Sequence, residues 1–210
     1  VMLESASLFS AGPPLVEAAI GQKIDKYNLG GIQIHTHQSG VAHNVAQTEE
    51  GVFALARKYL SYFPPNAWAR APMKTDVDIG ERSMDQILDI IPPDPRFPYS
   101  MHKVLKIFVD ADTLFEVQPH YGKSMVTALG FLGGCSVAIV ANNPSVNSGT
   151  IDSAAAEKTA NFIEVAGAFH LPVIFLADNP GVMAGAQAEK DGILRAAARM
   201  FAAQHRLRSP

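Results

Sequence analysis

Along the chain, stretches whose apolar residues recur every three to four positions alternate with short runs of period two or unbroken hydrophobicity, the respective marks of helices and strands. Residues 13–20 open with Pro13-Pro14 and stop at Gly21, which predicts a short helix. Gly30-Gly31 predicts a turn, and the alternation over residues 32–37 (Ile-Gln-Ile-His-Thr-His) predicts a strand. Residues 47–63 predict a helix with Val52, Leu55, Ala56, Tyr59, Leu60 and Phe63 on one face. Glu49 and Glu50 fall in its first turn, where a carboxylate complements the helix dipole.

The texture changes over residues 64–98. Proline recurs at 64, 65, 72, 92, 93, 95 and 98, and only residues 83–91 have the pattern of a short helix. Such a segment predicts a connection between domains. Beyond it, strands and helices alternate. Residues 99–108 predict a helix capped by Ser100, 114–117 a strand, and 125–131 and 136–142 two strands joined by a turn at Gly133-Gly134. Residues 152–169 predict a helix with Asp152 or Ser153 as N-cap, 173–177 a fully buried strand, and 188–205 a last helix. This order predicts an α/β layered domain with a helix crossing between neighbouring strands.

Composition narrows the function. A 48% hydrophobic content over 210 residues supports a substantial core and excludes disorder. The net charge of −3 argues against a general nucleic-acid binder. No apolar run reaches the roughly 18 residues of a membrane span, Glu4 interrupts any signal-peptide core, and the lone Cys135 has no disulfide partner, so a cytoplasmic location is expected. The chain begins and ends in mid-pattern, as a piece of a longer protein would.

Two loops are placed for chemistry. Residues 178–185 (Asp-Asn-Pro-Gly-Val-Met-Ala-Gly) follow a strand and open a helix, where ligands of α/β sheets gather and free backbone N–H groups face them. Gly181 and Gly185 let the backbone come close to an anionic oxygen that needs donors and no reactive side chain. The same features fit a tight turn without a ligand. Residues 142–149 are placed alike after strand 136–142, either as a slot for an extended pantetheine or biotin arm or as an ordinary crossover loop. His35 and His37 share a strand face in this pattern, but neither they nor His43 have Cys, Asp or Glu at ligand spacing, so no metal site is expected. Cys135 has no partnered base, which argues against a catalytic thiol. Glu157 and Lys158 on helix 152–169 are expected to be solvated charges.

A series of motifs runs from Ala11-Gly12-Pro13-Pro14-Leu15-Val16 and Ser39-Gly40-Val41-Ala42-His43, through Phe115-Glu116-Val117-Gln118-Pro119 and Val140-Ala141-Asn142-Asn143-Pro144, to Ser148-Gly149-Thr150-Ile151-Asp152, Glu157-Lys158 and Asp178-Asn179-Pro180-Gly181. In this order they resemble the carboxyltransferase (beta) subunits of biotin-dependent acyl-CoA carboxylases of the propionyl-CoA and methylcrotonyl-CoA type. The resemblance implies the crotonase-like (ClpP/crotonase) α/β fold, a spiral of ββα units. Residues 1–63 would be the end of a first such domain, 64–98 the connection, and 99–210 the start of a second.

It also implies a function: transfer of the carboxyl group from carboxybiotin to the α-carbon of an acyl-CoA, with thioester enolate and biotin anion both held by backbone N–H groups. Biotin would be carried on a separate carrier domain or subunit, acyl-CoA would be the substrate, and this component would use no metal. Partners would be the biotin carboxylase and carrier subunits, in a homo-oligomer, a hexamer as in the family, without nucleic acid or membrane. Pro180, Gly181, Val182, Met183, Ala184 and Gly185 would line the biotin pocket, with the backbone of Gly181 and Val182 closest to the chemistry. The family loop often reads Asp-Val-Pro-Gly-Phe-Leu-Pro-Gly, so Asn179, Val182, Met183 and Ala184 are departures. Both Gly-Gly oxyanion segments of the family are expected outside residues 1–210, so the fragment alone is expected to be inactive. A biotin-dependent acyl-CoA decarboxylase subunit and an inactive scaffold homologue are the alternatives.

Overall fold

The computed structural model describes residues 1–75, 83–94 and 96–210. Residues 76–82 and Pro95, both within the Pro-rich connection expected at 64–98, lie outside the described residues. The chain forms two compact units: Val1–Lys58 with Gln118–Tyr121, and Tyr59–Val117 with Gly122–Pro210.

The first unit pairs two short parallel strands, β1 (Met2–Leu3) and β2 (Val45–Ala46). Helix α1 (Pro13–Ile20) has the predicted bounds and closes on Gly21 in the left-handed conformation (φ 70°). Asp25 caps α2 (Lys26–Gly30) by accepting from the N–H groups of Tyr27 and Asn28. Those bonds hold its carboxyl below the usual carboxylate range. Residues 32–37 form a helix, α3 (Ile32–His37), and not the expected strand. Six alternating residues are too few to separate the two periods. Among the described residues no strand pairs with the segment, and the Thr36 hydroxyl donates to Ile32 O at 2.6 Å, one helical turn back. Residues 118–121 belong to this unit through contacts of their own: Gln118 Nε2 donates to Gly40 O at 2.8 Å, and the Tyr121 ring lies over Gly40.

Helix α4 (Glu49–Leu60) carries the chain onward, and the expected short helix at 83–91 is a 3₁₀ turn over Asp85–Asp89. The second unit is built on a four-stranded sheet. Its order is β3 (Phe115–Val117), β4 (Met125–Leu132), β5 (Cys135–Asn142) and β6 (Val173–Leu176). The first three strands are antiparallel neighbours, and β6 runs parallel to β5 after the crossover helix α6 (Ser153–Ala168). Alternate residues Val126, Ala128, Val137, Ile139 and Ala141 meet α5 (Met101–Phe108) through Met101, Val104 and Leu105 in the main core. The intervening Met125, Thr127 and Leu129 are buried as well, so the hairpin is covered on both faces. Its turn is fastened by Asp110, whose carboxylate accepts from the N–H groups of Gly133 (3.0 Å) and Gly134 (2.8 Å).

Two further expectations need correction here. Strand 173–177 was expected to be fully buried, yet β6 is the sheet edge and Phe175 is 42% exposed. The helix expected at 188–205 is two helices, α7 (Ala186–Lys190) and α8 (Ile193–Arg206), because Gly192 adopts a left-handed φ of 78° between them.

Candidate functional site

The parallel register Ala138↔Val173 to Ala141↔Leu176 ends β5 and β6 side by side, so the loops that leave them run out together. They are stitched at three points. Ile151 pairs with Val182 in a parallel bridge, in which Ile151 N–H donates to Gly181 O (3.1 Å) and Met183 N–H to Ile151 O (2.9 Å). Asn179 Nδ2 donates to Oδ1 of the buried Asn142 at 2.9 Å. Asn142 Nδ2 in turn donates to Gly149 O at 2.9 Å. Gly149 has to be a glycine: its φ is 72°, and a Cβ there would stand 2.5 Å from Asp178 O.

In a parallel bridge the pairing residue on one strand turns its own N–H away from its partner. The bridge turns the Val182 N–H away in this manner, and among the described residues neither it nor the Gly181 N–H has an acceptor. Gly181 sits at φ 122° with nothing within 4 Å of the place a Cβ would take, so ligand atoms have room to reach this backbone. Gly185 shares that geometry at φ 128° and caps α7. The loop therefore offers two unpaired N–H donors without a nucleophile, an arrangement suited to stabilising an oxyanion.

Two clefts flank the stitched loops. One, of about 240 Å³, is walled by Met125, Ile151, Phe175, Val182 and Phe201, with Asn179 and Gln204 as polar members. The other, of about 420 Å³, is lined by Arg96, Tyr99, Ser145, Ser148 and Asp178 together with several prolines. Across it the Tyr99 hydroxyl donates to Asp178 Oδ2 at 2.7 Å; burial, and then this carboxylate, push the phenol up to about 12. Residues 142–149 contribute Pro144, Ser145, Asn147 and Ser148 to the wall of this cleft. Asn143 Oδ1 accepts from Met101 N–H (3.2 Å) and Ser145 Oγ (2.8 Å), which fixes their course.

Lys158 overturns the expectation of a solvated charge. It is fully buried, and its Nζ donates to Met125 O at 2.8 Å and toward Gly122 O at 3.4 Å. Desolvation lowers its pKa to about 8, against the pull of Glu116 and Asp152. The sequence carried a hint in the small residues around it, since Ala155, Ala156 and Ala160 let α6 lie close to its neighbours. Glu157 beside it is half-buried. His35 and His37 stand on a helix and not on a strand face. The His35 ring bonds Ser39 Oγ (2.9 Å) and Leu8 O, and the His37 ring stacks on His120 at 4.8 Å. Among the described residues no group of three His, Cys, Asp or Glu side chains is arranged to hold a metal ion. Cys135 is an exposed free thiol at the start of β5. Among the described residues no helix is long and apolar enough to cross a membrane.

The order of strands and helices, with a parallel strand pair ending in two stitched loops, defines a mixed α/β domain. The particular family follows from comparison: the carboxyl transferase domain model matches residues 1–210, and the chain belongs to that family. It is 38% identical over 198 residues to the carboxyltransferase subunit of propionyl-CoA carboxylase from Haloferax mediterranei, covering 94% of this chain and 38% of that protein. It is 34% identical over 205 residues to a biotin-dependent acetyl-/propionyl-coenzyme A carboxylase beta5 subunit from Mycobacterium tuberculosis, covering 94% and 37%. Among solved structures, the transcarboxylase 12S hexamer core with methylmalonyl-coenzyme A bound superposes with a TM-score of 0.93 at 33% identity, over all of this chain and 41% of that one. The fold is crotonase-like, as the motifs implied. The chain spans about two fifths of the length of the relatives it matches.

Proposed function

We propose that the protein containing this chain is the carboxyltransferase component of a biotin-dependent acyl-CoA carboxylase, moving a carboxyl group from carboxybiotin to the α-carbon of an acyl-CoA. Within it, residues 1–63 are assigned to the end of one crotonase-like domain, 64–98 to the connection and 99–210 to the start of a second. The observation that carries the reading is the stitched pair of loops, with the unpaired N–H groups of Gly181 and Val182 in a chain of this family. Carboxybiotin supplies the carboxyl group when bound. Residues 180–185 would hold its ring, Gly181 and Val182 from the wall of the smaller cleft, and the two N–H groups would stabilise negative charge on its carbonyl oxygen. The Ile151–Val182 bridge and the Asn142–Asn179 bond keep those donors preorganised, so little reorganisation is needed at the moment of transfer.

The names of the relatives support acyl-CoA as substrate and dependence on biotin. Biotin carboxylase and carrier subunits are the partners this reading requires. The hexameric neighbour supports a homo-oligomer. The test uses the full-length protein, free biotin and malonyl- or methylmalonyl-CoA. Carboxybiotin formed in proportion to the acyl-CoA consumed is the expected result. Failure with every carboxylated acyl-CoA offered would remove the proposal.

A further inference from the structure

The placement of Asn179 is specific. Its Nδ2 is committed to Oδ1 of Asn142, which is 3% exposed and has its own Nδ2 committed to Gly149 O. The Asn179 side chain cannot turn over without placing Oδ1 against Oδ1, so its amide orientation is set from below. The remaining Asn179 Oδ1 has no partner among the described residues, and the residue lines the 240 Å³ cleft beside Gly181 and Val182. A fixed acceptor and two unpaired N–H donors thus lie within four consecutive residues, against a mostly apolar wall whose other polar members are Asn142 and Gln204.

We propose that Asn179 is a specificity-determining residue of this loop, whose Oδ1 accepts a hydrogen bond from a ring N–H of the ligand while the Gly181 and Val182 N–H groups meet the adjacent carbonyl oxygen. The ligand class is a cyclic urea carrying an apolar ring. This rests on the proposed function and goes beyond it by naming the side chain that reads the ring N–H.

Two variants of the full-length protein separate reading from tethering. Asn179→Val loses both the bond to Asn142 and the acceptor. Asn179→Asp loses the donor to Asn142 but keeps an acceptor toward the cleft. Equilibrium binding of free biotin is measured by calorimetry, the KM values for biotin and for acyl-CoA in the transfer assay, and stability by thermal denaturation. Asn179→Val is expected to weaken biotin binding about 10-fold, the worth of one hydrogen bond, and to raise the KM for biotin without moving that for acyl-CoA. Asn179→Asp is expected to stay within about 3-fold of wild type in biotin binding, although its stability falls as that of Asn179→Val does, since an acceptor of similar strength is retained. Biotin binding as weak in Asn179→Asp as in Asn179→Val would reduce Asn179 to a tether and overturn the inference. Wild-type affinity in Asn179→Val with an active enzyme would overturn it while leaving the proposed function standing. A wild-type protein that neither binds biotin nor transfers carboxyl groups would remove both.

Discussion

Lys158→Met in the full-length protein keeps most of the volume of a fully buried side chain and removes its charge. In the folded chain desolvation holds the Lys158 ammonium at about 8, against an ordinary value of 10.5. Between those two pH values the unfolded chain binds more protons than the folded one, so stability rises with pH across that window. Below pH 8 the cation is present in both states, and the folded state bears the full cost of burying it. At 1.36 kcal/mol for each unit, a difference of roughly 2.5 makes that cost about 3 kcal/mol. The hydrogen bonds from Nζ to Met125 O and Gly122 O partly offset it, and methionine gives them up. Near pH 7 the two losses are of similar size, so wild type and Lys158→Met should differ little. By about pH 10.5 wild type should have gained about 3 kcal/mol on the variant, through deprotonation of this one amine. Urea denaturation of both proteins at pH 7, 8.5 and 10 measures the difference, and subtracting the two curves cancels every other titrating group. Parallel curves over that range would mean that Lys158 titrates as an exposed lysine, and the argument from burial would be wrong.

Gly181→Val meets no neighbouring atom but must hold φ near 122°, so the loop shifts; turnover in acyl-CoA-dependent carboxylation of free biotin should fall by about 10²–10³, as on loss of an oxyanion donor. Circular dichroism should be unchanged, and wild-type turnover in the folded variant would make the loop a structural turn only. Gly149→Ala combines a left-handed φ with a contact of 2.5 Å to Asp178 O and should destabilise by about 2 kcal/mol or more, read as a lower urea midpoint; an unchanged midpoint would mean that the two loops are not held together there. The full-length protein should sediment as a homo-oligomer, a hexamer by the likeness to the transcarboxylase core, and a monomer would refute this.

Local chemistry was enough for much of the fold. Pro13-Pro14 and Gly21 bound α1, Asp152 caps α6, and Gly133-Gly134 turns β4 into β5, because each acts within a few residues of itself. The ordered motifs were enough for the family, and the loop 178–185 stood out by its place between a strand and a helix. Contacts distant in sequence were beyond its reach. The alternation at 32–37 is the same letter pattern in a strand or a helix, and α3 forms where no strand among the described residues pairs with it. The edge position of β6, which exposes Phe175, depends on what lies beside it. Whether Lys158 faced water or the carbonyls of Met125 and Gly122 was settled by the approach of segments more than thirty residues away. The bond from Asn179 to Asn142, 37 residues apart, exists because parallel strands end at the same level, a fact of sheet register that no local pattern encodes.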